Sequence, residues 1–480
     1  MRQHSTPAIF FSCLVAAAGC PAPAPAPGPL APLPVVQGLV PALDEDPADH
    51  SVRFRIVARE GIIELVDGTQ TLGLTYNGMS PGPLLQAHLG DTVTIEVENQ
   101  LLEPTTIHWH GLRIDDAMDG VAHGEVAPIP PGETFTYTFV PPEAGTFWYH
   151  PHLNTAVQIE AGLYGMLVVH EPEETRPSVN AERGFILDDI RLDDDGQIAP
   201  HQSAGPDIMH GRLGETLLVN GSASMPVVKL GPGQVERWRI VSAASSWTTL
   251  LRFEGLEVRQ VGADGGLWPQ NECKPVTQVE IPVGARAELE VRLADGATTA
   301  RVDNIMLALD ENNNVVEDPR LAVKVEIDAT LAVAEPLEGH TADPQYQHLT
   351  DDGAVEKTIE ISGENVGGQV RFTLNGHSYP DIEEWRVQKG QLTVIEVTNR
   401  LGMEHPFHLH GNWFQVVSRS GTSPVETGLR DTVLVHGQET VRVVTDFENP
   451  GMWMYHCHIL EHEDNGMMGM VHVEGEHTGH

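Results

Sequence analysis

Short runs of alternating apolar and polar residues recur along the chain, broken by turns rich in glycine, proline and asparagine. Asp91-Thr92-Val93-Thr94-Ile95-Glu96-Val97 alternates strictly, and so does Gln278-Val279-Glu280-Ile281-Pro282-Val283. A period of two puts every second side chain on the same face, so each run predicts a strand buried on one side only. The pattern predicts an all-β chain built from antiparallel β-sandwiches. The 47 glycines and 35 prolines suit that turn-rich class.

The pattern also repeats. Gly90 to Gly111 aligns without gaps on Gly390 to Gly411, with Ile95-Glu96-Val97 on Ile395-Glu396-Val397 and Asn99 on Asn399. Gly145-Thr146-Phe147-Trp148-Tyr149-His150-Pro151-His152 aligns on Gly451-Met452-Trp453-Met454-Tyr455-His456-Cys457-His458. A third copy lies between them, where Asn220-Gly221, Gly233 and the run Val235 to Val241 echo Asn77-Gly78, Gly90 and the strand that follows. At 480 residues the chain is too long for one core. Three sandwich domains are expected, over 51–172, 183–333 and 350–475, with polar, proline-containing linkers near 171–182 and 334–352.

The N-terminus reads as a processing segment. An apolar run from Ala8 to Ala18 is too short to span a bilayer and fits a secretory signal over residues 1–20. Ala17-Ala18-Gly19-Cys20 is similar to a bacterial lipoprotein box with Cys20 as the lipidated residue. An ordinary signal-peptidase site nearby is the alternative. Residues 21–50 open with a Pro-Ala repeat and are expected to form an extended linker, a tether that holds the body off a membrane. The expectation is an exported protein of the periplasm or cell envelope. Without Cys13 and Cys20, only Cys273 and Cys457 remain, so disulfides do not staple the fold. Cys273 reads as a buried thiol. The formal net charge of −40, with five lysines, excludes nucleic acid and anionic membranes as partners and favours solubility. Solvated surface, adaptation to salt and attraction of cationic substrates all fit that charge.

Candidate chemistry sits on the repeats. Four His-x-His pairs occur: His108-Trp109-His110, His150-Pro151-His152, His408-Leu409-His410 and His456-Cys457-His458. On a strand, each pair presents two imidazoles side by side, as a bridging metal cluster requires. Cys457 points to the opposite face from its flanking histidines, where His405 can join it. His462 adds a second imidazole and Met467 a thioether. Two histidines, a cysteine and a weak axial methionine make a blue-copper site. The other eight histidines suit three further coppers, and one entry copper feeding three others fits four-electron reduction of dioxygen. In the first copy Thr105, Pro151 and Ala156 replace His405, Cys457 and His462, so that copy lacks the mononuclear site.

These motifs, His-Trp-His-Gly, Tyr-His-Pro-His, His-Pro-Phe-His-Leu-His-Gly and His-Cys-His-Ile-Leu-Glu-His-Glu-Asp-x-Gly-Met-Met, resemble the four copper signatures of the multicopper oxidases over roughly residues 52–474. The resemblance implies three cupredoxin-like Greek-key domains and four copper ions. It implies a type 2 copper on His108 and His408. A type 3 pair would sit on His110, His150, His152, His410, His456 and His458, and a type 1 copper on Cys457, His405, His462 and Met467. It further implies that Asp119 and Glu463 manage protons for the oxygen-reducing cluster. Asp431 is expected beside the type 1 histidines, accepting a phenol's proton or binding a metal substrate.

The expected partners are dioxygen and a small reducing substrate. The stretch 301–345 contains Met306 but no methionine-rich insertion of the kind cuprous oxidases carry. A laccase-like oxidase of phenols and aromatic amines is therefore expected, with a cuprous oxidase or ferroxidase in copper or metal resistance as the alternative and a copper-free structural member of the family as a further one.

Overall fold

The structure is a computed structural model. It describes residues 32–476, apart from 47, 124–125, 203–204, 310–314, 335–336, 338, 340–347, 352–353, 368, 383 and 423–425. The signal segment and Cys20 lie outside the described residues. The fold is all-β, about 50% strand and 5% helix. Among the described residues no helix is long and apolar enough to cross a membrane.

Six sheets pack as three sandwiches. In the first, a sheet of strands Thr71–Tyr76, Ser51–Ile63, Thr92–Asn99 and Thr134–Phe139 covers one of Leu85–His88, Gly165–His170, Gly145–His150 and His108–His110. Their inner faces share a core that includes Ile56, Ile95, Trp109 and Tyr149. An eight-stranded and a five-stranded sheet enclose the middle core, around Phe185, Trp238 and Leu289. Two five-stranded sheets enclose the last, around Ile395, Phe407, Trp453 and Val471.

The threefold repeat is visible in the turns. Asn77, Asn220 and Asn375 have φ of 57°, 52° and 54°, and each is followed by a glycine at positive φ. A tight hairpin turn needs two such residues, which Asn-Gly provides at low cost. Each asparagine oxygen also accepts a 2.7 Å hydrogen bond from a strand N–H, of Val57, Ile186 and Glu360 respectively.

Two expectations need correction. The sheets are mixed rather than antiparallel, because every sandwich contains parallel pairs, among them Ser51–Ile63 with Thr92–Asn99, Ala181–Ile190 with Glu236–Ser242, and Val355–Val366 with Thr393–Asn399. Side-chain alternation has the same period in both directions, so it carries no information on strand direction. Nor is the segment 21–50 a free spacer throughout. Val36–Gln37 adds a parallel strand to Ala181–Ile190, the Ala42 N–H donates to Leu84 O at 2.8 Å, and the Glu45 N–H donates to Arg53 O at 2.8 Å. Val35-Val36-Gln37 contains no proline, so its N–H groups are free to pair with a sheet edge.

The three sandwiches meet around one apolar seam. Trp148, Ala156 and Ile159 of the first, Ile186 and Val241 of the middle and Leu460 of the last are buried together. Two short helices, Thr155–Glu160 and Leu460–Asp464, end at this seam.

Candidate metal centre

The duplicated strands put the histidines in matching positions. His108 lies opposite His150 on antiparallel neighbours, and His408 lies opposite His456 in the same way. Matching asparagines set the approach of each first strand. The Asn99 amide donates to Glu103 O and Ile129 O at 2.9 and 2.8 Å, and its oxygen accepts from the Leu101 N–H. Asn399 repeats this with Met403 O, Val435 O and the Leu401 N–H.

Between the first and last sandwiches all eight paired histidines converge, none more than 7% exposed. Their rings interleave: His110 stacks on His408 at 3.9 Å between centroids, and His108 lies 4.1 Å from His410. Nitrogens that can share one ion fall into the sets His108, His110, His408; His110, His150, His458; and His152, His410, His456.

Hydrogen bonds fix which nitrogen of each ring carries the proton. The Nδ1–H groups of His108 and His408 donate to Asp119 O and Asp431 O, both at 2.9 Å. Those of His150 and His456 donate to the carbonyls of Pro151 and Cys457 at 2.8 and 3.0 Å. His410 Nδ1–H donates to Asp119 Oδ2 at 2.9 Å, and His110 Nε2–H to Asp431 Oδ1 at 3.2 Å. The inward nitrogens are then bare lone pairs. His410 Nε2 and His456 Nε2 face each other at 3.0 Å. His108, His150, His152 and His408 each leave a buried Nε2 without a protein partner. Lone pairs pointed at one another in a buried site repel unless cations lie between them. The cage thus fits bound cations, and its imidazole donors suit copper.

A second set lies on the other face of strand Gly451–Cys457. Cys457 Sγ is 3.5 Å from His405 Nδ1 and 3.7 Å from His462 Nδ1. The Ile459 N–H donates to the sulfur at 3.4 Å. Met467 is fully buried in the same core, and its carbonyl accepts the Cys457 N–H at 3.1 Å. Burial favours the uncharged forms throughout. Desolvation lowers His405 to about 4 and His458 to about 3, and pulls His110, His150, His152, His410, His456 and His462 well down, so these rings are neutral ligands. Burial pushes the Cys457 thiol up, and it ionises when a metal takes up the charge.

Known proteins carry the same pattern. Two distinct family models, each described as multicopper oxidase, match residues 58–174 and 342–477. Laccase-5 of Trametes villosa is 30% identical over 86% of this chain and 87% of its own length. A multicopper oxidase of Staphylococcus aureus is 29% identical, over 88% of each chain. The chain belongs to the multicopper oxidase family. It is a copper oxidoreductase that uses oxygen. Among solved structures, a laccase-like multicopper oxidase from Ochrobactrum sp., described as active towards lignin model compounds, superposes with a TM-score of 0.79 at 26% identity over 91% of this chain and 100% of its own. One from Campylobacter jejuni, described as a metallo-oxidase, gives 0.77 at 28% identity over 92% and 96%.

The three carboxylates expected in this oxidase take different positions. Asp119 lies in the histidine cage, its carboxylate 3.3 Å from His108 Nδ1 as well as bonded to His410. Glu463 is buried beside the cage. Its Oε1 accepts from Thr155 Oγ1 at 2.7 Å and lies 3.5 Å from His152 Nε2, and its Oε2 lies 3.3 Å from His456 Nδ1. Burial and the neighbouring Asp464 raise its carboxyl well above the ordinary range. Asp431 is not a substrate-facing acid. It is 1% exposed, touches His110 and His408 instead, and is clamped by Arg286. No donor arriving from solvent can reach it. Burial opposes its charge, but Arg286 and His110 hold the carboxyl well below the ordinary range.

The sequence reading missed Arg286, Asp264 and Trp148, all close to the cage. Trp148 packs on His150 at 4.1 Å and its indole N–H donates to Gly284 O at 3.1 Å. Asp264 accepts from the Arg286 N–H at 2.7 Å. The available signal was Trp148 itself, two residues before His150 and therefore on the same strand face. Cys273 is half-buried rather than a core thiol, and burial lifts it to about 11.

Proposed function

We propose that this oxidase holds four copper ions and is laccase-like, drawing single electrons from phenols or aromatic amines and delivering four to dioxygen, which leaves as water. The observation that supports this most is the single strand joining both donor sets, with Cys457 on one face and His456 and His458 on the other. Bound copper supplies one-electron acceptance beside Cys457 and dioxygen reduction in the histidine cage. The protein's own groups do the rest. Burial keeps bulk water from the cage. Glu463 holds a proton at Oε2, which has no hydrogen-bond partner of its own, and can release it towards reduced oxygen. Asp119 orients His108 through its carbonyl and His410 through its carboxylate. Helix Pro206–His210 of the middle sandwich lies against His462, so donor selection belongs to that helix and its neighbouring loops.

A metal-ion donor is the second reading. It is supported by Glu404, next to His405, which faces His436 at 3.4 Å with Glu280 close by. Oxygen uptake with a methoxyphenol, Cu(I) and Fe(II) tests both. Rapid phenol-dependent uptake is expected, uptake with the metal ions alone moves the assignment to the second reading, and no uptake by copper-loaded protein removes both. The Ala17-to-Cys20 motif supports an envelope location, tested by cell fractionation and palmitate labelling of wild type against Cys20→Ser.

A further inference from the structure

Arg286 opens strand Arg286–Leu293 of the middle sandwich, the copy without a His-x-His pair. Its side chain is fully buried and crosses out of its own sandwich. Nη1 and Nη2 donate to the two oxygens of Asp431 at 2.7 and 2.5 Å, Nη2 also to Asp264 O at 3.0 Å, and Nε to Thr146 O at 3.1 Å. Asp431 in turn accepts from His110 Nε2–H at 3.2 Å and from Thr432 Oγ1 at 2.8 Å, and its carbonyl accepts from His408 Nδ1–H. One glycine makes room for the clamp and another for the cage. A Cβ on Gly111 would strike the Arg286 guanidinium, and one on Gly284 would come within 2.6 Å of the His458 ring.

We propose that Arg286 is a positioning residue for the cage: through Asp431, the copper-free middle sandwich dictates which nitrogen of His110 faces the metal. The duplication shows what the clamp changes. His410, the counterpart of His110, gives Nδ1–H to Asp119 and turns Nε2 inward. His110 gives Nε2–H to Asp431 and turns Nδ1 inward, 3.3 Å from His458 Nε2. Both aspartates hold their own sandwich's first histidine by the carbonyl and the other sandwich's second histidine by the carboxylate. They differ in their cation, since no arginine or lysine among the described residues pairs with Asp119. A two-pronged guanidinium fixes both oxygens and the plane of a carboxylate, which a point charge does not. Asp431 therefore keeps Oδ1 beneath His110, and the ring cannot turn over without losing that carboxylate acceptor.

This inference rests on the copper reading of the cage, yet its first test needs no copper. In metal-free protein with isotope-labelled histidine, ring-nitrogen chemical shifts report each tautomer, and His110→Gln identifies the His110 signals. Wild type is expected to show Nε2–H at His110 and Nδ1–H at His410, with the His110 preference lost in Arg286→Met. A His110 still held as Nε2–H in Arg286→Met overturns the proposal. Arg286→Lys keeps the charge without the fork and decides the matter if the methionine variant does not fold. After copper loading it is expected to keep the blue absorption of the Cys457 site while cage affinity falls about 10–100-fold. Wild-type tautomer and cage affinity in Arg286→Lys overturn the proposal. Arg237→Met removes another buried arginine of the middle sandwich, paired with Glu171 and Glu288, and controls for a purely structural loss. It is expected to lower Tm and leave the His110 signals unmoved; matching tautomer changes there overturn the assignment to Arg286. Should wild type show the expected tautomers and bind no cage copper, the copper reading fails and the positioning role stands.

Discussion

The first and last sandwiches use one frame for unequal work. Both place a His-x-His strand opposite another, both steer it with an asparagine, and both send a short helix to the seam. Where the last has His405, Cys457, His462 and Glu463, the first has Thr105, Pro151, Ala156 and Val157. In the first, Thr105 Oγ1 donates to Gln158 Oε1 at 2.7 Å, so the place of a ligand is taken by a hydrogen bond within the sandwich. The last also reaches across: the Asp464 carboxylate accepts the N–H groups of Thr155 and Ala156, both at 2.9 Å. The backbone thus accommodates either content, and on the proposed function His405, Cys457 and His462 make the last sandwich the one that admits electrons while Glu463 supplies a proton.

That contrast can be broken at Cys457 first. Cys457→Ser is expected to abolish the blue absorption and substrate turnover while cage copper stays bound; retained turnover in copper-quantified protein would show the sandwiches to be functionally equal. Glu463→Gln is expected to lower kcat by about 10²–10⁴-fold, whereas Val157→Ala at the matching position leaves kcat unchanged. The same variant carries a pH signature. The native carboxyl keeps a proton that the unfolded chain releases above its ordinary value of 4.5, so this group's contribution to copper-free stability falls as pH rises from there towards the raised native value. The buried histidines, held neutral, contribute the opposite slope below their ordinary value of 6.5, so the Glu463 part is read as a difference: in urea unfolding, Glu463→Gln should gain stability relative to wild type between pH about 5 and about 8. Asp119→Asn is expected to weaken cage copper about 10–100-fold with the Cys457 absorption unaltered, read by copper titration. The smallest effect belongs to Thr105→Val, which should cost about 1 kcal/mol of stability and no copper, while His405→Val loses the blue site.

Much of this was legible in the chain because period-two strands turn sequence spacing directly into facing. The His-x-His pairs, the opposite orientation of Cys457 and the Asn77-Gly78 and Asn220-Gly221 turns all follow from local geometry. Asp431 was misplaced because its position depends on how a loop of the last sandwich meets the middle one, which no local pattern encodes. Arg286 was invisible for the same reason. It lies 145 residues from Asp431, and a buried arginine makes sense only once its acceptors on other segments, Thr146, Asp264 and Asp431, are known. The pairing of Val36–Gln37 hid behind the proline repeat that precedes it.

The facing lone pairs of His410 and His456 have a consequence for the life of the polypeptide before it receives metal. An empty cage works against its own closure, so the interface between the outer sandwiches should be the most exchange-prone buried region of the newly folded chain. Loading would then act as a latch, and amide hydrogen exchange around His408 and His456 should slow far more on metal uptake than exchange in the middle sandwich's core.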